Sequence, residues 1–237
     1  MMGKSHFIIG TGVTLSVMGL LGRDITLPVV AAAAISSLLP DIDEPNSLLV
    51  RKAIPDFMLR LLQIALLGAA AFIYFGGVAA PPWNIILALL GGSVSFFPGR
   101  KLRHLVMLLI ALGLFAFADD YEPWNYIAAC VLVVSAFVPH RGLTHTLYGA
   151  AGWSALLYFA SSGMNDNGGL WMAGGLSYML HLLADALTRN GITPLPPLPF
   201  KLRLKLMSTG TKRGSAVENL CIMLTLALVL YVFILTP

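Results

Sequence analysis

Five short polar insertions interrupt an otherwise apolar chain, and they carry the residue types that bind catalytic metals. The insertions are Lys4-Ser5-His6, Leu39 to Glu44, His140 to His145, His181 to Asp185, and Glu218. Imidazole nitrogens and carboxylate oxygens are usual protein ligands of zinc and similar divalent ions. Four of the five histidines lie in these insertions, and the fifth, His104, follows a run of basic residues. The pattern therefore predicts metal chemistry shared between insertions.

His181 and Asp185 are four residues apart in a segment of helical character. This spacing places both side chains on one face of a helix, about 6 Å apart along its axis, where one ion or an adjacent pair can take both. The same spacing also occurs where the two side chains form only a hydrogen bond on the helix surface. The pair is a candidate metal motif that depends on support from the other insertions.

His140 and His145 flank Arg141, Gly142 and Thr144. Gly142 permits a turn, and Thr144 is predicted to cap the helix that follows. A basic turn at a membrane edge would account for Arg141 and Thr144, but it would not account for two histidines. We therefore take both histidines as candidate metal ligands.

Asp41, Asp43 and Glu44 place three carboxylates within four residues, directly after an apolar run. Clustered carboxylates repel one another unless positive charge meets them. Arg51 and Lys52 are one candidate source of that charge, and a divalent ion is the other.

His6 and Glu218 are single candidates near the two ends of the chain. Alone, His6 would be an ordinary interfacial residue, and Glu218 would be a carboxylate that stabilises the start of a helix. Their value is collective, because they add donors to motifs that are each incomplete.

Composition indicates a membrane protein. The chain has 57% hydrophobic and 11% charged residues, with a mean hydropathy of +0.82. A water-soluble domain of this composition would have too little polar surface to cover its core. The first apolar run follows His6 without a cleavage site and is predicted to be a retained helix. Cys130 and Cys221 both lie in apolar segments, so the sequence supports neither a disulfide framework nor a cysteine zinc site.

Hydropathy predicts an all-α polytopic transmembrane bundle of about nine helices. The apolar runs cover residues 7–22, 25–39, 57–76, 83–97, 103–118, 124–138, 146–161, 169–187 and 216–236. Several runs are shorter than the ~20 residues that span a bilayer. Such runs extend into the motifs, thin the bilayer locally or stop short of crossing.

Charge predicts how these helices are oriented. Alternating them across the membrane places fourteen of the 15 Lys and Arg residues on one side, and Arg23 alone on the other. Because cytoplasmic loops are enriched in Lys and Arg, that side is predicted to be cytoplasmic, with the amino terminus inside and the carboxyl terminus outside. The same alternation brings all five insertions to the cytoplasmic face. A net charge of +4 therefore reflects topology, and no nucleic-acid partner is predicted.

A proline-rich and basic segment at 190–213 separates the last two predicted helices. Its prolines preclude a helix, and residues 200–206 alternate apolar and basic side chains. We predict an interfacial loop with Leu202, Leu204 and Leu206 towards lipid and its cations towards anionic headgroups. A strand that docks a protein partner is the alternative. The whole chain, 1–237, is predicted to be one membrane-embedded domain.

The motifs resemble a known family. LPDIDEPNS, HRGLTH and HLLADALTRNGITPL, together with His6 and the Glu218 segment, look like the YdjM-like family of bacterial inner-membrane proteins. That family is described as membrane-bound metal-dependent hydrolases, and the motifs occur here in its order. Residues 57–138 are less informative, and the fourth and fifth predicted helices look like an insertion relative to shorter members.

The resemblance also implies a site. The family is distantly similar to zinc-dependent phospholipase C and the fungal single-strand nucleases, which are all-helical and use His, Asp and an HxxxD or HxxxE helix. Carried over by position, it marks as metal ligands His6, Asp41, Asp43, His140, His145, His181, Asp185 and Glu218. Glu44 departs from the pattern, because relatives often carry histidine there. The implied cofactor is one to three divalent ions, with zinc as the leading candidate.

Together these points predict a phosphoesterase of the cytoplasmic membrane face, with membrane lipids as partners and a phosphorylated lipid or membrane-proximal phosphoester as substrate. Arg141 would clamp the phosphate, because a guanidinium fork matches phosphate geometry. Asp41 or Glu44 would accept the proton of the attacking water.

Two other classes compete with this hypothesis. A non-catalytic metal-binding protein or a cation transporter is the first, but transporters bury ionisable residues near the bilayer midplane, and the insertions lie at one edge. An intramembrane metalloprotease is the second, and the chain lacks the HExxH pair that such enzymes use.

Overall fold

The computed structural model describes residues 1–139, 141–163 and 169–235. Within them the chain forms ten α-helices and no β-strand beyond two isolated bridges. The helices are α1 Gly3–Leu20, α2 Leu27–Ser36, α3 Leu48–Ala53, α4 Asp56–Phe75, α5 Trp83–Ser95, α6 Gly99–Phe117, α7 Trp124–Phe137, α8 Leu147–Ala160, α9 Gly169–Ala186 and α10 Lys212–Leu230. The prediction of an all-helical chain is confirmed.

Proline and hydroxyl side chains set many of the helix starts. Helices α4, α5, α6 and α7 each begin directly after a proline, namely Pro55, Pro82, Pro98 and Pro123. Proline suits this position because its φ is fixed and the missing N–H would have no partner within the helix. Thr146 caps α8 by accepting a hydrogen bond from the backbone N–H of Gly149 at 3.1 Å. The sequence had predicted Thr144 for this role, and that prediction is wrong.

Each of the nine predicted apolar runs coincides with a helix, and α3 is the addition. This helix has six residues, two of them basic, and lies in the loop after the carboxylate motif. It is too short and too polar for a hydropathy pattern to detect. Ser47 caps it, since its hydroxyl accepts from the backbone N–H of Val50 at 3.4 Å.

Helix α9 is central to the fold and packs against α1, α2 and α8, while α10 packs along α1. Helices α4 and α5 pack against each other, as do α6 and α7. One apolar core includes Leu39, Leu102, Met107 and Leu182. A second core joins α1, α2 and α9 around Met18. The 3₁₀ turn Leu39–Asp43 also contacts α9, so the carboxylate motif lies against this helix.

Buried Arg103 fastens the start of α6 to the junction between α3 and α4. Its guanidinium donates to the carbonyl of Ile54 at 3.2 Å and to the amide oxygen of Asn46 at 3.2 Å, and it pairs with Asp56. Only 3% of the residue is exposed. The charge of Arg103 is thus bound within the protein, although the sequence pattern groups this residue with the basic residues of the cytoplasmic side.

Two helical stretches of the described chain are long and apolar enough to cross a membrane, namely α4 and Lys212–Leu235, which comprises α10 and the π-helical turn after it. Helices α2, α5 and α7 are apolar but shorter. Most of α4 and α10 lies outside the protein core. The length and composition of these two segments are therefore those of membrane-spanning helices.

Residues 186–207 fold back along the end of α9. The backbone N–H groups of Leu204 and Leu206 donate to the carbonyls of Ala186 and Leu187 at 2.8 and 3.0 Å. Leu204 and Leu206 are exposed like the neighbouring Arg203 and Lys205, whereas Leu202 is partly buried. Leu202 packs against the apolar core whereas Leu204 and Leu206 do not, so the alternating pattern does not produce one buried face. The interfacial role stays a prediction.

Candidate metal centre

Five predicted ligands from four segments meet in one buried cluster, which we call the His/Asp cluster. His6 comes from α1, Asp41 from the 3₁₀ turn Leu39–Asp43, His145 from the 3₁₀ turn Leu143–His145, and His181 and Asp185 from α9. Two sets of three have ligand atoms within 4.8 Å of one another: His6, Asp41 and His181 in one, and His145, His181 and Asp185 in the other. His181 belongs to both sets.

A backbone carbonyl fixes the ring of His181. Its Nδ1 lies 2.7 Å from the carbonyl oxygen of Ser37, and since a carbonyl can only accept, Nδ1 carries the hydrogen. Nε2 then faces Oδ1 of Asp41 across 3.6 Å. The ring also stacks on His6, with ring centres 3.8 Å apart and planes inclined by 16°. The carbonyl thus orients a ring nitrogen towards the cluster, as outer partners do for histidines that bind metals.

A relay of hydrogen bonds orients His145. The hydroxyl of Thr144 donates to Oδ2 of Asp43 at 2.7 Å and lies 3.1 Å from Nδ1 of His145. Because the single hydroxyl hydrogen goes to Asp43, Nδ1 of His145 is the donor in the second contact. Nε2 lies 3.4 Å from Oδ1 of Asp41 and 3.6 Å from Oδ2 of Asp185. Asp43 therefore acts on the cluster through Thr144 and His145.

Asp185 joins His6 to Arg141. Its Oδ1 lies 3.3 Å from Nε2 of His6 and 3.3 Å from the amino nitrogen of Met1. Its Oδ2 lies 3.2 Å from the guanidinium of Arg141, which also donates to the carbonyl of Gly191 at 2.9 Å. The side chain of Arg141 is 28% exposed, so the guanidinium lies between the buried carboxylate and the outside of the protein.

The backbone of Arg141 is unusual as well. Its φ is 62°, in the left-handed region that non-glycine residues rarely adopt and that recurs at functional sites. The sequence had assigned the turn to Gly142, whose φ is −82°. A left-handed residue directs its side chain differently from its neighbours, and here the side chain reaches Asp185.

The electrostatics of Asp41 follow from its two histidine neighbours. Burial alone raises the pKa of this carboxyl, but the neighbouring rings of His145 and His181 lower it more. The net effect holds the pKa well below its ordinary value. Asp41 is therefore a carboxylate at neutral pH, which is the form that binds metal ions.

The remaining predicted site residues lie outside these two sets. Buried Glu218 accepts from the hydroxyl of Ser5 at 2.6 Å and from the backbone N–H of Met2 at 3.1 Å. Glu44 accepts from the backbone of Asn46 at 3.2 Å and lies 3.8 Å from the guanidinium of Arg100. Arg100 thus supplies the positive charge near this carboxylate. Predicted ligand His140 lies outside the described residues.

The chain matches the family described as YdjM inner membrane protein over residues 1–236. It belongs to this family. The family resemblance drawn from the motifs is confirmed, and the family description agrees with the predicted localisation at the inner membrane. No curated protein and no solved structure matches the chain. The distant similarity to phospholipase C stays a prediction.

Several residues that build the site of this YdjM family member were not predicted from the sequence. Ser37 contributes a backbone carbonyl, which no residue type signals. The hydroxyl of Tyr178 donates to the carbonyl of Thr144 at 2.5 Å. Tyr178 lies one helical turn before His181, and that spacing could have identified it as a neighbour of the site. Ser5 lies next to His6 but contacts Glu218.

The donor set fits a divalent ion. Three imidazoles and two carboxylates meet in a buried site, and such nitrogen and oxygen donors suit zinc and its neighbours among the transition metals. Nε2 of His181 is buried and makes no hydrogen bond within the described part of the chain. A buried polar atom without a partner is costly, and a bound cation would satisfy it. The residues that would hold an ion are His6, Asp41, His145, His181 and Asp185.

Proposed function

We propose that this chain is a polytopic membrane-embedded hydrolase that depends on a divalent metal and cleaves a phosphoester of a lipid or membrane-proximal substrate at the cytoplasmic face. The observation that carries the proposal is the convergence of His6, Asp41, His145, His181 and Asp185 from four segments of the chain. A role in packing alone does not account for three imidazoles and two carboxylates in one buried cluster, because buried ionisable groups are costly without partners.

Zinc is the proposed ion, in one to three copies. The two sets of donors share His181, so the cluster is compatible with two ions that lie next to each other on either side of this residue. A bound dication would supply Lewis acidity towards a phosphoryl oxygen and neutralise its developing charge.

Arg141 is proposed to bind the phosphate. Its guanidinium contacts Asp185 at 3.2 Å and is partly exposed, so it can reach a ligand that enters from outside. A planar guanidinium donates two parallel hydrogen bonds to phosphate oxygens, and the positive charge favours the negative transition state. The left-handed backbone of Arg141 supports a functional role, because strain of this kind is retained where geometry matters.

Glu44 or Asp41 is proposed to accept the proton of the attacking water. The contacts favour Glu44 of the two, because Oδ1 of Asp41 lies between the rings of His145 and His181. The side chain of Glu44 is 26% exposed and its contact with Arg100 is long at 3.8 Å, so it can turn towards a substrate. Removing this base would cost about 10²- to 10⁴-fold in rate.

A membrane lipid is the proposed source of the phosphoester. The chain belongs to a family of inner membrane proteins, and α4 and α10 are long and apolar. The distribution of Lys and Arg in the sequence supports a cluster on the cytoplasmic side. Several helices would cross the bilayer in this arrangement.

The test is metal analysis of purified protein together with phosphate release from phosphatidic acid, an isoprenoid phosphate and a water-soluble phosphomonoester. The proposal expects bound zinc and hydrolysis of at least one lipid phosphate, with both lost in His181→Ala and kept in the control His104→Ala. Metal binding without any hydrolysis would contradict the enzyme. If His181→Ala then altered ion flux in vesicles, the hypothesis of a cation transporter would replace that of a hydrolase.

A further inference from the structure

An apolar cleft runs between α2, α7 and α8. Its volume is about 590 Å³, and the fifteen described residues that line it are aliphatic apart from Trp124 and Trp153. The lining extends along α2 from Pro28 to Ile35 and then to Leu39 and Ile42 on the 3₁₀ turn. These eight residues span roughly 10 Å of helix, so the cleft is elongated along the helices. Its volume lies within the ~300–1,000 Å³ of ordinary ligand sites.

A second cavity continues the cleft towards the His/Asp cluster. It has a volume of about 240 Å³ and shares Leu39, Ile42, Val131 and Trp153 with the first. It also reaches Thr144, whose hydroxyl bonds to Asp43 in the relay described above. Leu39 and Ile42 flank Asp41 in the same 3₁₀ turn. The apolar space therefore leads to the segments that carry the cluster.

The described residues that form the walls of the larger cavity offer a ligand almost no polar group. Among the described residues that line the larger cavity, Trp124 and Trp153 alone carry a polar side-chain atom. The indole N–H of Trp153 donates to the hydroxyl of Ser36 at 2.7 Å. The ring therefore presents an apolar face to the cavity. Ile35 and Ala128 are exposed, so the cleft opens at the side of the helices.

We propose that this cleft holds one hydrocarbon chain of an anionic membrane lipid whose phosphate lies at the His/Asp cluster. The proposal rests on the function proposed above, and it specifies how the substrate is held. The apolar cleft and the polar cluster with Arg141 form an amphiphilic site, and a phospholipid has the matching polarity. The lipid can enter from the bilayer through the lateral opening, without leaving its apolar surroundings.

The cleft would position the lipid more than it would tighten binding. A hydrocarbon chain gains little free energy by moving from the bilayer to an apolar cavity, since both are dry and apolar. Fixing the chain does limit where the phosphate can move, and positioning of this kind accelerates a reaction. Affinity would come from the phosphate and its contacts with Arg141 and the metal.

The size of the cleft disfavours a helix of a second copy or of another protein. A helix about 10 Å wide occupies roughly 400 Å³ per turn, so the larger cavity admits little more than one turn. A single hydrocarbon chain is thinner and can follow both cavities as far as Thr144 and the turn that carries Asp41.

Two substitutions fill the space while adding no polar group. Ala128→Phe would enter the larger cavity, and Gly152→Leu would enter the smaller one, where a Cβ on Gly152 meets no atom within 4 Å. Ala69→Phe and Gly113→Leu are the matched controls. Ala69 is exposed on α4, and a Cβ on Gly113 of α6 likewise meets nothing within 4 Å.

The probe is phosphatidic acid with a diazirine at the end of one acyl chain, added to the purified full-length protein in detergent and cross-linked by light. The proposal expects cross-links within 124–137 and 147–160, reduced several-fold in Ala128→Phe and Gly152→Leu and unchanged in both controls. The metal content of each variant and its elution volume on size-exclusion chromatography establish that the variant is folded.

Labelling that is equal in filled and control variants would overturn the proposal, as would labelling confined to α4 and α5 or no specific labelling of the wild type. A stable dimer that buries the cleft would also overturn it. Cleft labelling without hydrolysis of any lipid phosphate would contradict only the enzyme. If the protein hydrolysed phosphatidic acid but Ala128→Phe and Gly152→Leu did not reduce labelling, only the proposed role of the cleft would be contradicted.

Discussion

Nδ1 of His181 donates to the backbone carbonyl of Ser37 over 2.7 Å, and this contact turns Nε2 of the ring towards Asp41. Ser37 follows the last residue of α2, so a carbonyl at the end of one helix orients a histidine on another. Carbonyls at a helix end have no partner within the helix, and one of them here receives a buried ring N–H. The same contact leaves Nε2 available to a metal.

Zinc is expected to stabilise the wild-type protein and to stabilise His181→Ala much less. Loss of this ring removes a donor from both candidate sets, so metal affinity should fall at least ~10-fold. Ligand binding to the native state raises the free energy of unfolding by about 2.7 kcal/mol at a ligand concentration of 100 Kd. Thermal unfolding in detergent with zinc and with a chelator measures the difference. His104→Ala is the control, and an equal zinc response in both variants would contradict the candidate site.

Arg141→Lys is expected to keep the fold and the metal while lowering kcat/KM for a lipid phosphate about 10- to 100-fold. Lysine retains the charge but not the planar fork, and a lost hydrogen bond to a charged group costs about 1.5–3 kcal/mol. Metal content and phosphate release on the same preparation test this. Arg189→Lys is a control, because Arg189 is exposed. Unchanged turnover in Arg141→Lys would exclude a phosphate-binding role for the guanidinium.

Much of the candidate site could be predicted from residue types and spacing. His181 and Asp185 share a helix face because they are four residues apart, and the scarcity of histidine drew attention to His6 and His145. The stacking of His6 on His181 could not be predicted, because it depends on how α1 packs against α9. The carbonyl of Ser37 could not be predicted either, since backbone groups are the same in every residue.

The helices were predictable for a simpler reason. Long apolar runs between prolines and charged turns leave few alternatives to a helix, and α4, α5, α6 and α7 each start directly after a proline. Hydropathy missed the short helix α3, and it placed the start of α10 at residue 216 although the helix begins at Lys212. Charged first turns carry no hydropathy signal, so helix ends are less certain than helix cores.

Glu218→Ala is expected to destabilise the protein by about 1–3 kcal/mol, because it removes the acceptor of the Ser5 hydroxyl and of the Met2 N–H. Ser5→Ala should cost less, since it leaves the contact with Met2 in place. Thermal unfolding in detergent without metal compares the two. Metal content of Glu218→Ala tests the ligand role implied by the family resemblance. If Ser5→Ala destabilised the protein as much as Glu218→Ala, the contact between Glu218 and the backbone of Met2 would contribute nothing, which would contradict this prediction.

The orientation in the membrane is testable with cysteines at exposed positions. Lys52→Cys should react with an impermeant maleimide only after permeabilisation, whereas Asp120→Cys should react in intact cells, because the two turns are predicted on opposite faces. Both substitutions are made in a background with Cys130 and Cys221 replaced by alanine. Labelling of Lys52→Cys from outside would invert the topology and move the candidate site to the exterior.

Gly149→Ala is expected to destabilise the protein by about 1–3 kcal/mol and to weaken zinc binding, because the turn that carries His145 would have to shift. A Cβ at this position would lie 2.7 Å from the carbonyl of Leu143 and 3.0 Å from the hydroxyl of Tyr178. Gly152→Ala, one turn later in α8, meets nothing within 4 Å and should stabilise the helix by about 0.5–1 kcal/mol. Unfolding temperatures of both variants with and without zinc make the comparison, and a stabilising effect of Gly149→Ala would show that the close packing of α8 against the turn is wrong.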